Sequence, residues 1–424
     1  MEMLSNWKKN SQMNEAKIDI AYISNTQKVP SYLIEVAYFV LLVYANLGPA
    51  YGLAIPLAGA GTLAGLAFLC GLHFGIHIVG AFRPIKFALG LAISVFLIQG
   101  LVFEEPLRDG PIRYFITWIL SLVIIQSLSY RKGFFHRFAI VAFCIGCATL
   151  PFLKVYVGNE EMIRIGGERG VALANPNYFG MWFGFCAVYF LIAGLEAKNY
   201  VIRSASWLVG LFCLYLMGIS VSRGALLGVA IAMVIAFEKV LKRSFLPILG
   251  FLCFGWLVYV SGIFDDLIGY YLHRGAEETG RSRLWAWAFD GILNSWGGGV
   301  GFSEAMITDG ITGKSYGPHN SFLFIALSSG ILSLSFYVAY LGQVIRGGLR
   351  ARLQNAVDSP FILPLVSYSM LSLMVADEVF MSPWHMVVFC AAIGVSKVGR
   401  KRKKPDIQNR RTKNFRNEAE PSLV

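Results

Sequence analysis

The residues of this chain best suited to binding phosphate are arginines that lie between long apolar runs. A guanidinium group presents a planar fork that holds two phosphate oxygens at once, which a lysine ammonium does not. His319 stands beside Asn320 at the start of another apolar run. Histidine is the side chain whose charge changes nearest to neutral pH. Together these residue types indicate an anionic substrate and the transfer of a proton. The arginines concerned are Arg164, Arg169, Arg223, Arg274, Arg281 and Arg283.

The composition places these residues in a membrane protein. Of the 424 residues, 56% are hydrophobic and only 15% are charged, and the mean hydropathy is +0.59. In soluble domains about a quarter of the residues are charged. Many apolar runs approach the roughly 20 residues that a helix needs to cross a bilayer. The sequence therefore predicts an all-α fold, a polytopic bundle of transmembrane helices.

Twelve spans are predicted, and they divide the chain into five parts. The spans lie near 31–48, 51–71, 86–103, 112–129, 135–155, 177–196, 201–220, 224–240, 244–264, 320–345, 361–376 and 382–397. The parts are a tail over 1–30, spans one to nine over 31–264, a large loop over 265–319, spans ten to twelve over 320–397, and a basic tail over 398–424.

The positions of lysine and arginine fix the orientation, because cytoplasmic loops carry the excess of both. Most of the 37 Lys and Arg residues lie in the two tails and in the even-numbered connections. Both termini are therefore predicted in the cytoplasm, and residues 156–176, 221–228 and 265–319 are predicted to face outside. The net charge of +12 fits a basic tail beside anionic membrane lipid, so no nucleic-acid partner is expected.

Each candidate residue also has a plain structural interpretation. Arg223 lies between two spans with almost no loop around it, which indicates either a functional site or an arginine that snorkels from a helix end. His319 is either a catalytic group or an interfacial histidine at a helix start. Their predicted placement on one face, with Arg169, favours function.

Two segments of the large loop have recognisable patterns. Residues 281–293 show apolar positions close to helical spacing, and predict an amphipathic helix on the outer membrane surface or across the bundle, or a cap helix packed on the spans. Residues 295–302, "SWGGGVGF", lack the flanking strand and helix of a nucleotide-binding loop. We interpret them as a flexible turn whose backbone approaches a ligand closely.

Four motifs in order along the chain resemble the O-antigen ligase and polymerase family. They are "GERGVALANPNYFG", "VSRGALL", "GRSRLWAWAFDGIL" with "GGGVGF", and "GPHNSFLFIALSSG", which together cover about residues 167 to 345. Members of that family are bacterial membrane glycosyltransferases of the GT-C type. In the family a basic residue and a glycine are paired across a loop and span, similar to Arg169 with Gly180 and His319 with Gly330. A histidine in the second motif is more frequent among ligases.

The resemblance implies a reaction and a set of roles. The donor would be a glycan on undecaprenyl diphosphate, and the acceptor lipid A core or another lipid-linked glycan. His319 would take the proton of the acceptor hydroxyl, and Arg223 would stabilise the diphosphate leaving group. Transfer would proceed by a single displacement with inversion, without metal or cofactor, on the periplasmic face of the bacterial inner membrane. Substrate binding would fall to the other motif residues, Arg169, Arg281, Arg283, Asn177 and Asn320.

Other functions stay open at this point. A polysaccharide polymerase would use the same donor and motifs. A secondary transporter or lipid-linked glycan flippase is compatible with twelve spans, although transporters usually show repeat symmetry and polar groups near mid-membrane. The outer carboxylates Glu304, Asp309, Asp377 and Glu378 could bind a metal or orient His319, but solvated loop acids are the simpler interpretation.

Overall fold

The prediction of a mostly helical chain is confirmed by the computed structural model. The structure describes residues 29–48, 51, 65–66, 69, 83–104, 111–157, 163–167, 173, 175–241, 265, 269, 281–308, 315–353, 358–375 and 382–394. The predicted spans near 51–71 and 244–264 lie almost wholly outside the described residues, as do the C-terminal tail and nearly all of the N-terminal tail.

The other predicted spans coincide with helices. The helices are α1 (Val29–Leu47), α2 (Lys86–Leu97), α3 (Pro111–Leu128), α4 (Phe134–Ala148), α5 (Pro176–Glu196), α6 (Tyr200–Ile219), α7 (Arg223–Leu241), α8 (Arg281–Asn294), α9 (Ser321–Leu353), α10 (Ser359–Val375) and α11 (Pro383–Gly394). A π-helical turn, Ile98–Val102, continues α2. Among the described residues four helical segments are long and apolar enough to cross a membrane, Phe134–Phe152, Pro176–Glu196, Tyr200–Ile219 and Ser321–Leu353.

The all-α prediction missed two short antiparallel hairpins. Strand β1 (Leu153–Val157) pairs with β2 (Ile163–Gly167), and β3 (Ile307–Thr308) pairs with β4 (Ser315–Tyr316). The fifth predicted span, 135–155, therefore ends early, because its last residues belong to a 3-10 turn and to β1. Strands β2, β3 and β4 lie in segments that were predicted as external loops, and β1 begins in the predicted span.

Three helices begin at the same end of the bundle. Helices α5, α6 and α7 alternate in direction, since residues 197–199 and 220–222 are too few to do more than reverse the chain. An ion pair between Glu238 and Arg352 joins the late parts of α7 and α9. The starts of α5, α7 and α9 therefore share the opposite end, which we call the Arg223 end, and the other end is the Arg352 end.

Close helix contacts in this core depend on glycine. A Cβ atom on Gly184 or Gly228 would collide with the ring of Tyr368, whose hydroxyl donates to the carbonyl of Met181 at 2.7 Å. Helix α10, which carries Tyr368, packs against α5, α7 and α9. It therefore connects the pair α5 and α7 to the long helix α9.

The longest helix, α9, is broken in the middle. Gly330 has φ 76° and ψ 176°, values outside the helical region, so α9 consists of two helical pieces on either side of Gly330. Helix α2 runs antiparallel to α9 across the break, with Gln343 bonded to the carbonyl of Pro84 and Ser333 to Ser94. The predicted span 320–345 is thus correct in position but interrupted.

Acidic and basic side chains form ion pairs at the Arg352 end of the bundle, near the connections between helices. Glu35 is buried and accepts from Arg137 at 2.5 and 3.0 Å, and it also contacts Arg131. Asp358 contacts His136 at 2.9 Å in the connection between α9 and α10. These residues lie in or beside the connections predicted to be cytoplasmic.

Replacing Glu35 with Gln should destabilise the protein strongly. The change leaves Arg131, only 4% exposed, without its carboxylate, and breaking a buried pair costs about 3–5 kcal/mol. Thermal unfolding in detergent micelles measures the effect. Glu238→Gln is the matched control, because that pair is about one-third exposed and such pairs contribute roughly 0–1 kcal/mol. Equal stability of the two variants would contradict a structural role for Glu35.

Candidate active site

Arg223 occupies the first position of α7, directly after a tight turn. Ser220 and Ser222 in this turn are buried, and Val221 has φ 50°, an uncommon value for a β-branched residue. Gly180 of α5 lies against both serines, so closely that a Cβ atom would collide with them. Gly180 therefore lets the start of α5 approach the turn that carries Arg223, which brings two of the sequence motifs together.

The start of α5 is capped by a residue that sequence reasoning did not select. The side chain of Asn175 accepts from the backbone N–H of Asn177 at 2.8 Å, and Pro176 occupies the first helical position. This is a standard N-cap arrangement. The backbone of Asn177, the predicted ligand, is thus part of the cap, and its half-buried side chain lies in the first turn of α5.

His319 immediately precedes the cap of α9. It is half-buried and has φ 49°, a backbone conformation that non-glycine residues seldom adopt and that is found at functional sites. The Oδ1 atom of Asn320 accepts from the backbone N–H groups of Phe322 and Leu323 at 3.0 and 3.2 Å. The side-chain oxygen of Asn320, which was predicted to bind substrate, thus caps the helix.

Helix α8 has the predicted extent and packs on α9. The indole N–H of Trp285 donates to the carbonyl of Pro318 at 2.9 Å, and Gly291 lies against Leu327. The two helices run in the same direction, and α8 lies alongside the first half of α9. This arrangement corresponds to the predicted alternative of a helix packed on the spans. Half-buried Arg281 and exposed Arg283 lie in the first turn of α8, one turn before Trp285, which places them on the His319 side.

The backbone of the glycine run after α8 lies against the break in α9. Gly297, Gly299 and Gly301 all have φ between 73° and 91°, which side chains other than glycine rarely adopt. The N–H groups of Val300 and Gly301 donate to the carbonyls of Leu327 and Ser328 at 2.7 and 3.1 Å. In return, the N–H of Ile331 donates to the carbonyl of Gly297 at 2.9 Å.

Gln99 bonds to both the glycine run and α9 at their joint, and sequence reasoning did not identify it. Its amide nitrogen donates to the Ser328 carbonyl at 2.8 Å and to the Ser329 hydroxyl at 2.9 Å, and its oxygen accepts from the N–H of Phe302 at 3.1 Å. Gln99 is fully buried and lies in the π-helical turn after α2. The available signal was a glutamine in an otherwise apolar span, where a buried amide needs partners.

The predicted residues form two groups at the Arg223 end. One group, on α8 and α9, contains Arg281, Arg283, His319 and Asn320. The other group, on α5 and α7, contains Asn177 and Arg223, and α10 packs against both α7 and α9. Arg169 lies outside the described residues.

The electrostatics of this end favour an anion. The N-terminus of a helix carries a partial positive charge, and α5, α7 and α9 begin here. None of α5, α7 and α9 has an acidic residue in its first turn that would offset that charge. A bound phosphate is a natural counter-charge for such helix starts, and Arg223 adds a full positive charge.

Metal chemistry has no evident donor set in the part of the chain that the structure describes. Within those residues no group of three or more His, Cys, Asp or Glu side chains is close enough to hold a metal ion. Of the acids considered as possible ligands, Glu304 is exposed, and Asp309, Asp377 and Glu378 lie outside the described residues.

Comparison with known proteins adds no relative: no protein-family model matches the chain, and no curated protein is significantly similar to it.

Substituting Gln99 with Ala should loosen the joint between the glycine run and α9. The N–H of Phe302 loses the Gln99 oxygen as its acceptor, and an unsatisfied buried group costs about 1–3 kcal/mol. Hydrogen exchange at Val300, Gly301 and Phe302 should accelerate by at least tenfold. Gln126→Ala serves as the control, because the amide of buried Gln126 donates to Ser129 on the next turn of its own segment. Unchanged exchange in the Gln99 variant would show that the glycine run holds its position without it.

Proposed function

We propose that the protein is a membrane glycosyltransferase that moves a polysaccharide from an undecaprenyl-diphosphate carrier to an acceptor hydroxyl, most specifically an O-antigen ligase acting on lipid A core. The observation that supports the proposal is the shared end of α5, α7 and α9, since Arg223 and His319 both lie at that end of the bundle. The motif resemblance suggests the substrate class, and the helix starts with Arg223 support binding of its anionic group there. The proposed location is the periplasmic face of a bacterial inner membrane, with both termini in the cytoplasm.

The diphosphate of the donor would bind at the start of α7. Arg223 extends from the first turn, where its fork and the helix dipole act on the same anion. As the bond between the sugar and the diphosphate breaks, negative charge on the leaving oxygen increases. A fixed guanidinium stabilises that charge more strongly in the transition state than in the ground state, which accelerates transfer. Asn177, at the neighbouring helix start, is placed to contact the donor.

His319 would act as the general base. It takes the proton of the acceptor hydroxyl while the oxygen forms a bond to the anomeric carbon, and the bond from that carbon to the diphosphate oxygen breaks on the opposite side. The configuration at the anomeric carbon therefore inverts. The Asn320 cap and the Trp285 bond to Pro318 fix the backbone on both sides of His319. The point from which the imidazole ring extends is therefore fixed as well.

The remaining cations fit glycan or phosphate binding around His319. Arg281 and Arg283 lie in the first turn of α8, whose indole contact holds the helix to the loop before His319. Arg169 precedes α5 in sequence and is assigned to the same role by the motif. A polymerase that joins lipid-linked repeat units would use this arrangement equally, and only the acceptor would differ.

The break in α9 is the one observation that favours a transporter or flippase. Discontinuous membrane helices bind ions and substrates in many transporters through freed backbone groups. Here the carbonyls of Leu327 and Ser328 accept bonds from the glycine run and Gln99, and the N–H of Ile331 donates to Gly297. Protein groups already use these atoms, so the break is better explained as a structural joint, and we favour the enzyme.

His319→Ala should reduce glycan transfer by roughly a hundredfold or more, the usual contribution of a positioned general base. Transfer is measured with purified protein in liposomes that contain the lipid-linked donor and an acceptor. His136→Gln is the matched histidine control, because His136 lies toward the Arg352 end, where it contacts Asp358 and Tyr189. Normal transfer by the His319 variant at equal abundance would refute the catalytic assignment.

Arg223→Lys should lower transfer nearly as much as Arg223→Ala, about a hundredfold, because lysine keeps the charge and loses the fork. The control is Arg203→Lys, an exposed arginine at the start of α6 that bonds to the carbonyl of Ala197. Full activity of Arg223→Lys would argue against bidentate binding of the diphosphate.

Surface glycans of a deletion strain distinguish the candidate functions. Long chains that stay on the carrier and are missing from lipopolysaccharide identify a ligase. Single repeat units on an intact core identify a polymerase. Glycans identical to those of the parent strain would contradict both, and would favour the transporter.

A further inference from the structure

Two large apolar side chains at the end of α8 are exposed to an unusual degree. Leu293 is 74% exposed and Trp296 is 97% exposed, with Trp296 held in the left-handed region at φ 53° just before the glycine run. The short segment Leu293–Gly297 is the apolar tip. An exposed tryptophan on a rigid turn is expected where it contacts a partner other than water.

Contacts with the neighbouring helices determine how deep the apolar tip lies along the helix axes of the bundle. The carbonyl of Gly297 bonds to Ile331, and the following residues bond to Gln99 and Ser328. Gln99 precedes Glu104, the first charged residue after α2, by five positions along the chain. The tip therefore lies on the membrane side of Glu104. Asn320 lies about 15 Å from the break by helical rise, in the direction of solvent.

The surface around the tip continues into the face of a membrane-spanning helix. Ile331 packs against Gly297 and is itself 53% exposed, and the next residue, Leu332, is 60% exposed. Both belong to the apolar span in α9. At the same level, Leu101 and Val102 of the π-helical turn are 75% and 66% exposed. An apolar surface with this position and continuity fits lipid.

We propose that the apolar tip is an interfacial anchor that inserts into the lipid leaflet at the Arg223 end, with the Trp296 ring at the boundary between headgroups and acyl chains. Tryptophan is enriched at that boundary because its ring is apolar and its indole N–H is polar. The anchor fixes the depth of α8, and with it the height of the loop that precedes His319. The inference does not depend on the proposed reaction.

Spin labels provide the test. Trp296→Cys and Leu293→Cys proteins are labelled with a nitroxide and reconstituted in phosphatidylethanolamine and phosphatidylglycerol vesicles, with unsubstituted protein as the background for native cysteines. We expect both labels to collide with oxygen more often than with a water-soluble nickel chelate, by a factor of about three or more. Ser282→Cys, exposed in the first turn of α8, is the matched control and should show the opposite preference.

Three results would overturn the anchor. One is preference of both tip labels for the nickel chelate, as at Ser282, which would place the tip in water. Another is broadening of the label spectra that disappears on dilution with unlabelled protein, which would identify a second copy as the partner. The third comes from native protein and needs no label. Quenching of tryptophan fluorescence by lipids brominated near the headgroup should decrease in Trp296→Phe, and equal quenching in both proteins would exclude lipid contact.

Discussion

The break in α9 imposes a requirement that organises the surrounding structure. Backbone N–H and C=O groups inside a bilayer find no water, and each one left unsatisfied costs several kcal/mol. Gly330 frees such groups in the middle of the longest apolar helix. The glycine run supplies the backbone partners, and Gln99 supplies a side-chain partner from a different span. The three elements are therefore held together by hydrogen bonds that cannot be exchanged for bonds to solvent.

This joint also determines where the first half of α9 and its preceding loop can lie. With the glycine run fixed at Gly330, α8 must extend along the residues before the break, and Trp285 reaches the carbonyl of Pro318. The loop with His319 is thus held at one side by α8 and at the other by the Asn320 cap. On the other side of the candidate site, α5 is held in position by close packing. Gly180 lies against the turn before Arg223, and Tyr368 packs between α5 and α7.

The sequence predicted those features that depend on local pattern. Apolar length located the spans later seen as α5, α6 and α9, and helical spacing located α8. It did not predict the partners of these elements. The glycines of residues 297–301 suggested a flexible loop near a ligand, but their positive φ angles serve contacts with residues about thirty positions later. Gln99 and Ser328 are more than two hundred residues apart, and nothing in the local sequence of either one indicates the other.

The charges along the bundle bear on the proposal of an anionic substrate. At the Arg352 end, Arg131 and Arg137 are paired with Glu35, and Arg352 is paired with Glu238. At the Arg223 end, the dipoles of α5, α7 and α9 point their positive ends the same way, and no acid in the first turns of these helices offsets them. Adding arginines there raises the electrostatic energy of the protein alone. The anionic substrate that we propose would lower that energy at the start of α7, where the Arg223 guanidinium lies.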